Sequence, residues 1–291
     1  MCKGARRKVI ILGAGGRDFH NFNVVFRDNP CYQVIAFTAT QIPGIEGRRY
    51  PYPLSGPYHL SGIPIVPEDM LEELIRRNNV DEVVLAYTDL LYSDVGKILS
   101  RALASGASFR ILGPRETMIE STRPVIAVTA VRTGAGKSTV SRAVVEELDK
   151  RGYNVVVVRH PMVYGDIEKM VVQRFEKPDD LDKWYMTLEE REEYEHYLRK
   201  GIVVYAGVDY GKILSEAEKE ADIILWDGGN NDWPFFAPDF QITVADAMRP
   251  GHEIGSFPGE VNVRMADAII INKAGQASGD NISIVKNNIR K

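Results

Sequence analysis

The stretch VRTGAGKSTV (residues 131–140) places two glycines, a lysine and three hydroxyl residues between an apolar run and an amphipathic segment. Gly134 and Gly136 permit a tight backbone path, Lys137 supplies a positive charge for phosphates, and Ser138 offers an oxygen ligand. Backbone N–H groups at such a turn and at the start of the following helix favour phosphate binding. The residues that we expect to hold a nucleotide are Thr133, Gly134, Ala135, Gly136, Lys137, Ser138 and Thr139.

The loop departs from the G-x-x-x-x-G-K-[ST] pattern because Val131 stands at the position of its first glycine. It resembles instead the variant loop of the class that includes dethiobiotin synthetases and MinD-like ATPases, in which a cation lies five residues before the main lysine. Arg132 stands where that class often has a lysine, and Thr133 where it has glycine. Arg132 is therefore expected either to meet phosphate, across a homodimer interface, or to be a surface arginine.

An acidic residue and part of a base-recognition motif follow the loop. Asp227 ends the apolar run IILW and precedes two glycines, which is typical of a residue that holds Mg²⁺ directly or through water. Ser138 and Asp227 are thus the expected metal ligands. Asn272 and Lys273 match the first half of the N-K-x-D motif of guanine-binding proteins, but Gly275 replaces its aspartate. These residues leave ATP and GTP as alternatives.

Polar side chains also follow the other apolar runs. GAGGRDFHN (13–21) is a weak dinucleotide fingerprint because Asp18 replaces the third glycine. In VRHPMVYGD (158–166), Arg159, His160, Tyr164 and Asp166 are candidates for a switch or substrate loop. Asn230, Asn231 and Asp232 either line the nucleotide pocket or form a polar turn.

The expected catalytic residues are Lys137, Asp227, Arg132 and His160. The residues expected to bind a substrate are Arg17, His20, Asn21, Arg48, Arg49, Arg249 and His252.

The elements that must position these residues repeat a pattern of strand, turn and helix in both halves. Because the apolar runs do not alternate with polar residues, they predict parallel strands that are covered on both faces. We predict an α/β protein of two domains: a Rossmann-like domain over residues 1–123, and a P-loop NTPase domain over 124–291. Helices are expected over 67–79 and 95–106. The long segment 38–67 is expected to be functional.

A charged segment interrupts the second half near residues 173–200. Thr187 and Glu190 form a capping box for a helix there. The segment is expected to be a solvated helical insertion, with a lid or a dimer contact as the alternatives.

Composition narrows the class of protein. The 291 residues are 44% hydrophobic and 26% charged, with a net charge of −4, which is a globular balance that argues against a general nucleic-acid binder. Cys2 and Cys31 have no metal-ligand spacing, and we expect two free thiols in a reducing compartment. No apolar run approaches the roughly 20 residues that a membrane span needs. A cytoplasmic protein without membrane contact is predicted.

Several motifs together resemble an archaeal and bacterial family of predicted GTPases related to cyclic 2,3-diphosphoglycerate synthetases. They are LGAGGRDFHNFN, TATQIPGIEGRRYP, RTGAGKS, VVRHPMVYGD, LWDGGNNDWPF, RPGHE and PGEVNVRMADAIIINK. The resemblance implies NTP-driven closure of 2,3-diphosphoglycerate into its cyclic anhydride, or phosphorylation of 2-phosphoglycerate. Members of that family are expected to continue beyond a position such as Lys291.

The sequence thus leads to a Mg²⁺-dependent NTPase or phosphotransferase that uses ATP or GTP and acts on a small phosphorylated acid. The acceptor is expected in a cleft between the two domains, where the first-half arginines would neutralise it. The alternative is a GTPase switch or metallochaperone-like nucleotide-binding protein with a protein partner, because both classes use the same phosphate loop.

Overall fold

The computed structural model describes residues 4–39, 44–45, 47–160, 165–184, 186–229 and 232–290. It is a mixed α/β structure with two largely parallel sheets. The strands are β1 (Arg7–Leu12), β2 (Tyr32–Ala39), β3 (Arg49–Tyr50), β4 (Ile63–Pro67), β5 (Glu82–Leu85), β6 (Leu90–Leu91), β7 (Ser108–Ile111), β8 (Val125–Ala130), β9 (Val155–Arg159), β10 (Gln173–Phe175), β11 (Val203–Ala206), β12 (Ile223–Asp227), β13 (Phe240–Asp246), β14 (Ser256–Phe257) and β15 (Ala268–Asn272).

Helices connect most of these strands. They are α1 (Arg17–Asn21), α2 (Leu71–Asn78), α3 (Tyr92–Ala104), α4 (Pro114–Thr117), α5 (Lys137–Lys150), α6 (Leu188–Leu198), α7 (Tyr210–Ala217), α8 (His252–Gly255), α9 (Gly259–Met265) and α10 (Gly279–Ile289). A π-helical turn, Phe22–Phe26, continues α1, and 3₁₀ turns lie at Tyr52–Leu54, Glu68–Met70 and Pro178–Lys183. Among the described residues, no helix combines the length and the apolar character that crossing a bilayer requires.

The first sheet has the strand order β3-β4-β2-β1-β5-β7, and only β3 runs antiparallel to its neighbour. The second sheet has the order β10-β11-β9-β12-β8-β13-β15, and only β10 is antiparallel. Every residue of β9 is buried, because helices and loops cover both faces of the central strands. The short strands β3, β4 and β10 lie in segments where the sequence predicts no strand.

The two halves of the chain share apolar contacts. Strands β6 and β14 pair antiparallel and join the halves. Trp233 and Phe257 pack into the cluster that α2 and α3 form with the first sheet, and Ile167 and Met170 pack into the cluster on its other face. The predicted boundary between residues 123 and 124 falls between the two sheets, and the division into two domains stays a prediction.

Two expectations are corrected. Cys31 is disulfide-bonded, so the expectation of two free thiols is wrong, and Cys2 lies outside the described residues. The charged segment does form the capped helix, since the Thr187 hydroxyl accepts from the Glu190 N–H at 3.2 Å. It is not simply a solvated insertion, however, because Tyr194 and Tyr197 are buried in the core of the second sheet. Aromatic residues at positions three apart give this charged helix one buried face.

Candidate functional site

The glycine turn that we predict to be a phosphate loop lies between β8 and α5. Gly134 and Gly136 have φ values of +82° and +104°, which a residue with a side chain rarely adopts. A Cβ atom at Gly136 would also lie 2.0 Å from the Asn272 amide nitrogen. The turn ends directly in the 14-residue helix α5. The first N–H groups of a helix have no intrahelical acceptor, so they suit an anion at this end.

Side chains from the neighbouring strand ends hold the loop carbonyls on its outer side. The amide of Asn272 donates to the Ala135 carbonyl at 2.9 Å, and the Lys273 ammonium donates to the Gly134 carbonyl at 2.6 Å. The guanidinium of Arg249 donates to the Thr133 carbonyl at 3.1 Å. Three consecutive carbonyls are thus fixed by side chains, which pre-organises the loop backbone.

Lys273 and Arg249 are themselves anchored by one carboxylate. Asp246, at the end of β13, accepts from the Lys273 ammonium at 2.7 Å and from Arg249 Nε at 2.8 Å. Burial by itself would raise the pKa of Asp246, but Lys273 and Arg249 hold that pKa below its usual range. The predicted nucleotide residues Asn272 and Lys273 therefore lie at the loop, and Gly275 has no neighbouring atom within 4 Å of a built Cβ.

Asp227 is the centre of a buried charge network beneath the loop. Its carboxylate accepts from the Lys137 ammonium at 2.5 Å, from the Ser141 hydroxyl at 2.8 Å and from the Tyr197 hydroxyl at 3.0 Å. Arg159, from the end of β9, forms a further ion pair with it. Burial alone would raise the pKa of Asp227, but Arg159 and Lys137 hold that pKa well below its usual range. The carboxylate is therefore ionised, and both of its oxygens have hydrogen-bond partners.

This network bears on the predicted magnesium ligands. Both carboxylate oxygens of Asp227 already accept from two cations and two hydroxyls. Direct coordination of Mg²⁺ by Asp227 would require one of these cations to move away, because like charges repel at this distance, and it stays a prediction. Ser138 is half-buried in the first turn of α5, and its hydroxyl could still face a metal held by nucleotide phosphates. No group of three metal-ligating acids, histidines or cysteines occurs among the described residues.

A groove of about 170 Å³ opens beside Ser138. Helices α5 and α6 form its two walls, and Arg159 lies at its base beside Asp227. Arg159 also pairs with Glu193 of α6. The residues that line the groove are Ser138, Arg142, Arg159, Glu192, Glu193 and Tyr197. Two guanidinium groups and two carboxylates therefore surround a space next to the phosphate loop.

The glycine turn after β1 has a different interior. It borders a cavity of about 30 Å³, the size of one water molecule. Arg17 pairs with Asp232 at 3.1 Å, and His160 Nε2 lies 3.2 Å from the other oxygen of Asp232. Asp18 accepts from the Gly15 and Phe19 N–H groups at 2.5 and 2.9 Å. Burial raises the pKa of Asp18 to about 6.

The residues predicted to bind substrate do not gather in one cleft. His20 is buried, stacks on Phe235 and donates from Nε2 to the Thr117 carbonyl at 2.6 Å, and burial lowers its pKa to about 3. Asn21 is buried below it. Arg48 bonds the Gly165 carbonyl, whereas Arg49 lies on an exposed edge and donates to two backbone carbonyls.

The other predicted cations lie by the phosphate loop. Arg132 ion-pairs with Asp89 of the first half at 3.2 Å, so within one chain it joins the two halves and is not simply a surface arginine. Arg249 contacts the loop, and His252 begins α8. Burial and the neighbouring Arg132 and Arg249 lower the pKa of His252. The cations of the two halves are therefore held at separate places.

Arg159 is predicted from the sequence only as one of four candidates in a switch or substrate loop. Ser141 and Tyr197 are not predicted from the sequence. Ser141 carries a local signal, because it lies one helical turn after Lys137 on the same face. Tyr197 carries none, since its approach to Asp227 depends on how α6 packs. Tyr164, Asn230 and Asn231 lie outside the described residues.

The site can be compared with known proteins. No family model matches this sequence. The chain is 59% identical over its whole length to the arginine synthetase ArcE of Thermococcus kodakarensis, and it covers 65% of that protein. It thus spans about two thirds of the length of the curated relative it matches. A crystal structure of a DUF1611 family protein from Anabaena variabilis aligns over 97% of this chain and 93% of its own, with 12% identity and a TM-score of 0.32.

Proposed function

We propose that this chain is the nucleotide-binding part of a synthetase that couples cleavage of a nucleoside triphosphate to formation of a bond in a small nitrogen compound. The observation that carries the proposal is the loop over residues 133–138, in which Arg249, Lys273 and Asn272 fix three consecutive carbonyls, together with the Lys137–Asp227 pair beneath it. Such a loop at a helix N-terminus suits a polyphosphate.

In this proposal Lys137 exchanges partners when the nucleotide binds. Its ammonium leaves Asp227 and contacts the phosphates, while Arg159, Ser141 and Tyr197 keep the aspartate neutralised and hydrogen-bonded. Magnesium ions, which neutralise phosphate charge, would arrive with the nucleotide and meet the Ser138 hydroxyl. Both ATP and GTP are accepted, because no carboxylate stands at Gly275 to select guanine. Their affinities should differ by less than about tenfold, or 1.4 kcal/mol.

The groove beside Ser138 is the proposed place of the second substrate. Its two carboxylates, Glu192 and Glu193, suit a guanidinium or an ammonium, and Arg142 suits a carboxylate. A zwitterionic amino acid matches this mixture of charges. The relative is named for the synthesis of arginine, so we expect the groove to hold the amino-acid precursor before the reaction and arginine, as the product, after it. A multiply phosphorylated acid matches it less well, because it would face both glutamates.

The test is a screen of small molecules with the purified chain. Titration calorimetry with L-arginine, in the presence of ATP or GTP and Mg²⁺, should give saturable binding that Glu192→Gln together with Glu193→Gln weakens. Glu195→Gln is the matched control, since Glu195 lies on the same helix and pairs with Arg199. Stimulation of hydrolysis by 2-phosphoglycerate or 2,3-diphosphoglycerate, with no response to arginine, would support the phosphotransferase. A response to no small molecule would support the protein-partnered switch.

A further inference from the structure

Strand β15 ends the second sheet and is unusually apolar for an edge. Its sequence is Ala-Ile-Ile-Ile-Asn, and Ile270 is 38% exposed. Ile269 and Ile271 are only partly buried. The parallel strand beside it, β13, has five of its seven residues buried. Strand β15 therefore has the composition of a central parallel strand but only one neighbour among the described residues.

Among the described residues, the other three edge strands of the two large sheets each carry an arginine. Arg110 in β7 pairs with Glu82, Arg174 in β10 pairs with Glu220, and Arg49 in β3 donates to backbone carbonyls. A charged residue on an edge strand discourages the addition of another strand. From Ala268 to Ile271, β15 has no charged residue, so this edge lacks the protection that the other edges have.

An apolar groove adjoins this edge. It has a volume of about 400 Å³, and one face of α5 forms most of it. The residues that line the groove are Thr139, Val140, Ala143, Val144, Glu147, Leu148 and Ile270. Val140, Ala143, Val144 and Leu148 recur at helical spacing, so they form one apolar face of α5. An exposed apolar surface of this kind, continuous with a strand edge, is typical of an interaction site.

We infer that the β15 edge and the α5 groove together dock a β-strand with apolar side chains, which extends the seven-stranded sheet, and that the occupant is supplied by the part of the longer relative that this chain does not span. The relative is larger, since the chain covers 65% of it. A second copy of the chain is the other occupant that this edge could accept, and the experiment below distinguishes the two.

The experiment uses the 291-residue chain and the segment of the Thermococcus kodakarensis protein that lies outside the aligned region. Mixing the two should give a one-to-one complex by light scattering. Hydrogen exchange of the amides of Ala268–Asn272 should slow at least tenfold in that complex. Ile270→Lys should weaken binding at least tenfold. Ile111→Lys is the matched control, since Ile111 is a similarly exposed isoleucine on the edge strand β7.

A second measurement covers the case in which the isolated segment does not fold. Amide exchange in the strand equivalent to β15 is compared between the whole Thermococcus kodakarensis protein and the same protein cut to the aligned region. Slower exchange in the whole protein supports the inference, and equal exchange overturns it. A dimer of the 291-residue chain that Ile270→Lys converts to a monomer also overturns it, because the occupant would then be a second copy.

Discussion

The two glycine turns of the molecule begin alike and end differently. Each follows a buried parallel strand, β1 or β8, and each leads into a helix. After β1, the helix has five residues, all buried, and Asp18 folds back to cap the turn. After β8, the helix has 14 residues, and Lys137 reaches the buried Asp227. The first turn borders a space for one water molecule, and the second opens on a groove of about 170 Å³.

The two turns differ in which of their backbone groups are already bonded to side chains. In the first turn, Arg17 forms an ion pair with Asp232 and donates to the Trp233 carbonyl, and the Asp18 carboxylate accepts from the Gly15 N–H. In the second turn, side chains donate hydrogen bonds to three of the loop carbonyls rather than accept them from its N–H groups. We therefore expect substitutions at the first turn to change stability and those at the second to change turnover.

The largest effect is expected from Lys137→Ala. Nucleotide hydrolysis should fall by about 10²–10³-fold, because one positive charge at the phosphates is lost. Folding should persist, since Asp227 keeps Arg159, Ser141 and Tyr197. Steady-state hydrolysis and a thermal melt are the measurements, with Lys150→Ala, at the exposed end of α5, as the control. Hydrolysis within a few-fold of the unmodified protein would remove this loop as the catalytic site.

Arg17→Ala should do the reverse. It leaves Asp232 and the Trp233 carbonyl without their cation in a buried place, so the free energy of unfolding should drop by about 3–5 kcal/mol. Affinity for ATP and for arginine should stay within about twofold in the folded protein. Denaturant melts and calorimetry check both parts, and Arg7→Ala, half-exposed at the start of β1, is the control. A loss of substrate affinity with unchanged stability would contradict this expectation and support the prediction that Arg17 binds the substrate.

The protonation of Asp18 sharpens the same contrast. With a folded-state pKa of about 6, above the value of an exposed aspartate, the folded protein binds this proton more tightly than the unfolded chain. The free energy of unfolding should therefore decline by up to about 3 kcal/mol as the pH rises from 4 to 6. Arg17, His160 and Asp232 face this carboxyl and contribute to its shift. Asp18→Asn should remove that slope in denaturant melts, while Asp28→Asn, which is exposed, should keep it.

The smallest effect is expected from Tyr197→Phe. It removes one hydrogen bond to Asp227 and should cost about 1 kcal/mol of stability. A thermal melt measures it, and Tyr153→Phe, 46% exposed, is the control. Turnover should change by only a few-fold, because Lys137 and the loop backbone are untouched. A loss as large as that of Lys137→Ala would mean that Tyr197 itself acts in the reaction.

Local patterns determined much of this protein from the sequence alone. The apolar runs predicted ten of the parallel strands, and the capping pair Thr187 and Glu190 located α6 within one charged segment. The spacing of Gly134, Gly136 and Lys137 located the phosphate loop between a strand and a helix. These features depend on residues that are near one another in the chain, so periodicity and turn chemistry suffice to find them.

Only the tertiary structure decided which charged side chains form ion pairs with one another. Arg17 meets Asp232 across 215 positions of sequence, and Arg159 meets Asp227 across 68, so no local pattern contains these pairs. Strands β3 and β4 are short and contain or adjoin prolines, and their place in the sheet depends on the neighbours that they meet. The sequence shows which side chains carry a positive charge. The packing of the two sheets decides which of these side chains are held in ion pairs, because ion pairing depends on distances that chain order does not set.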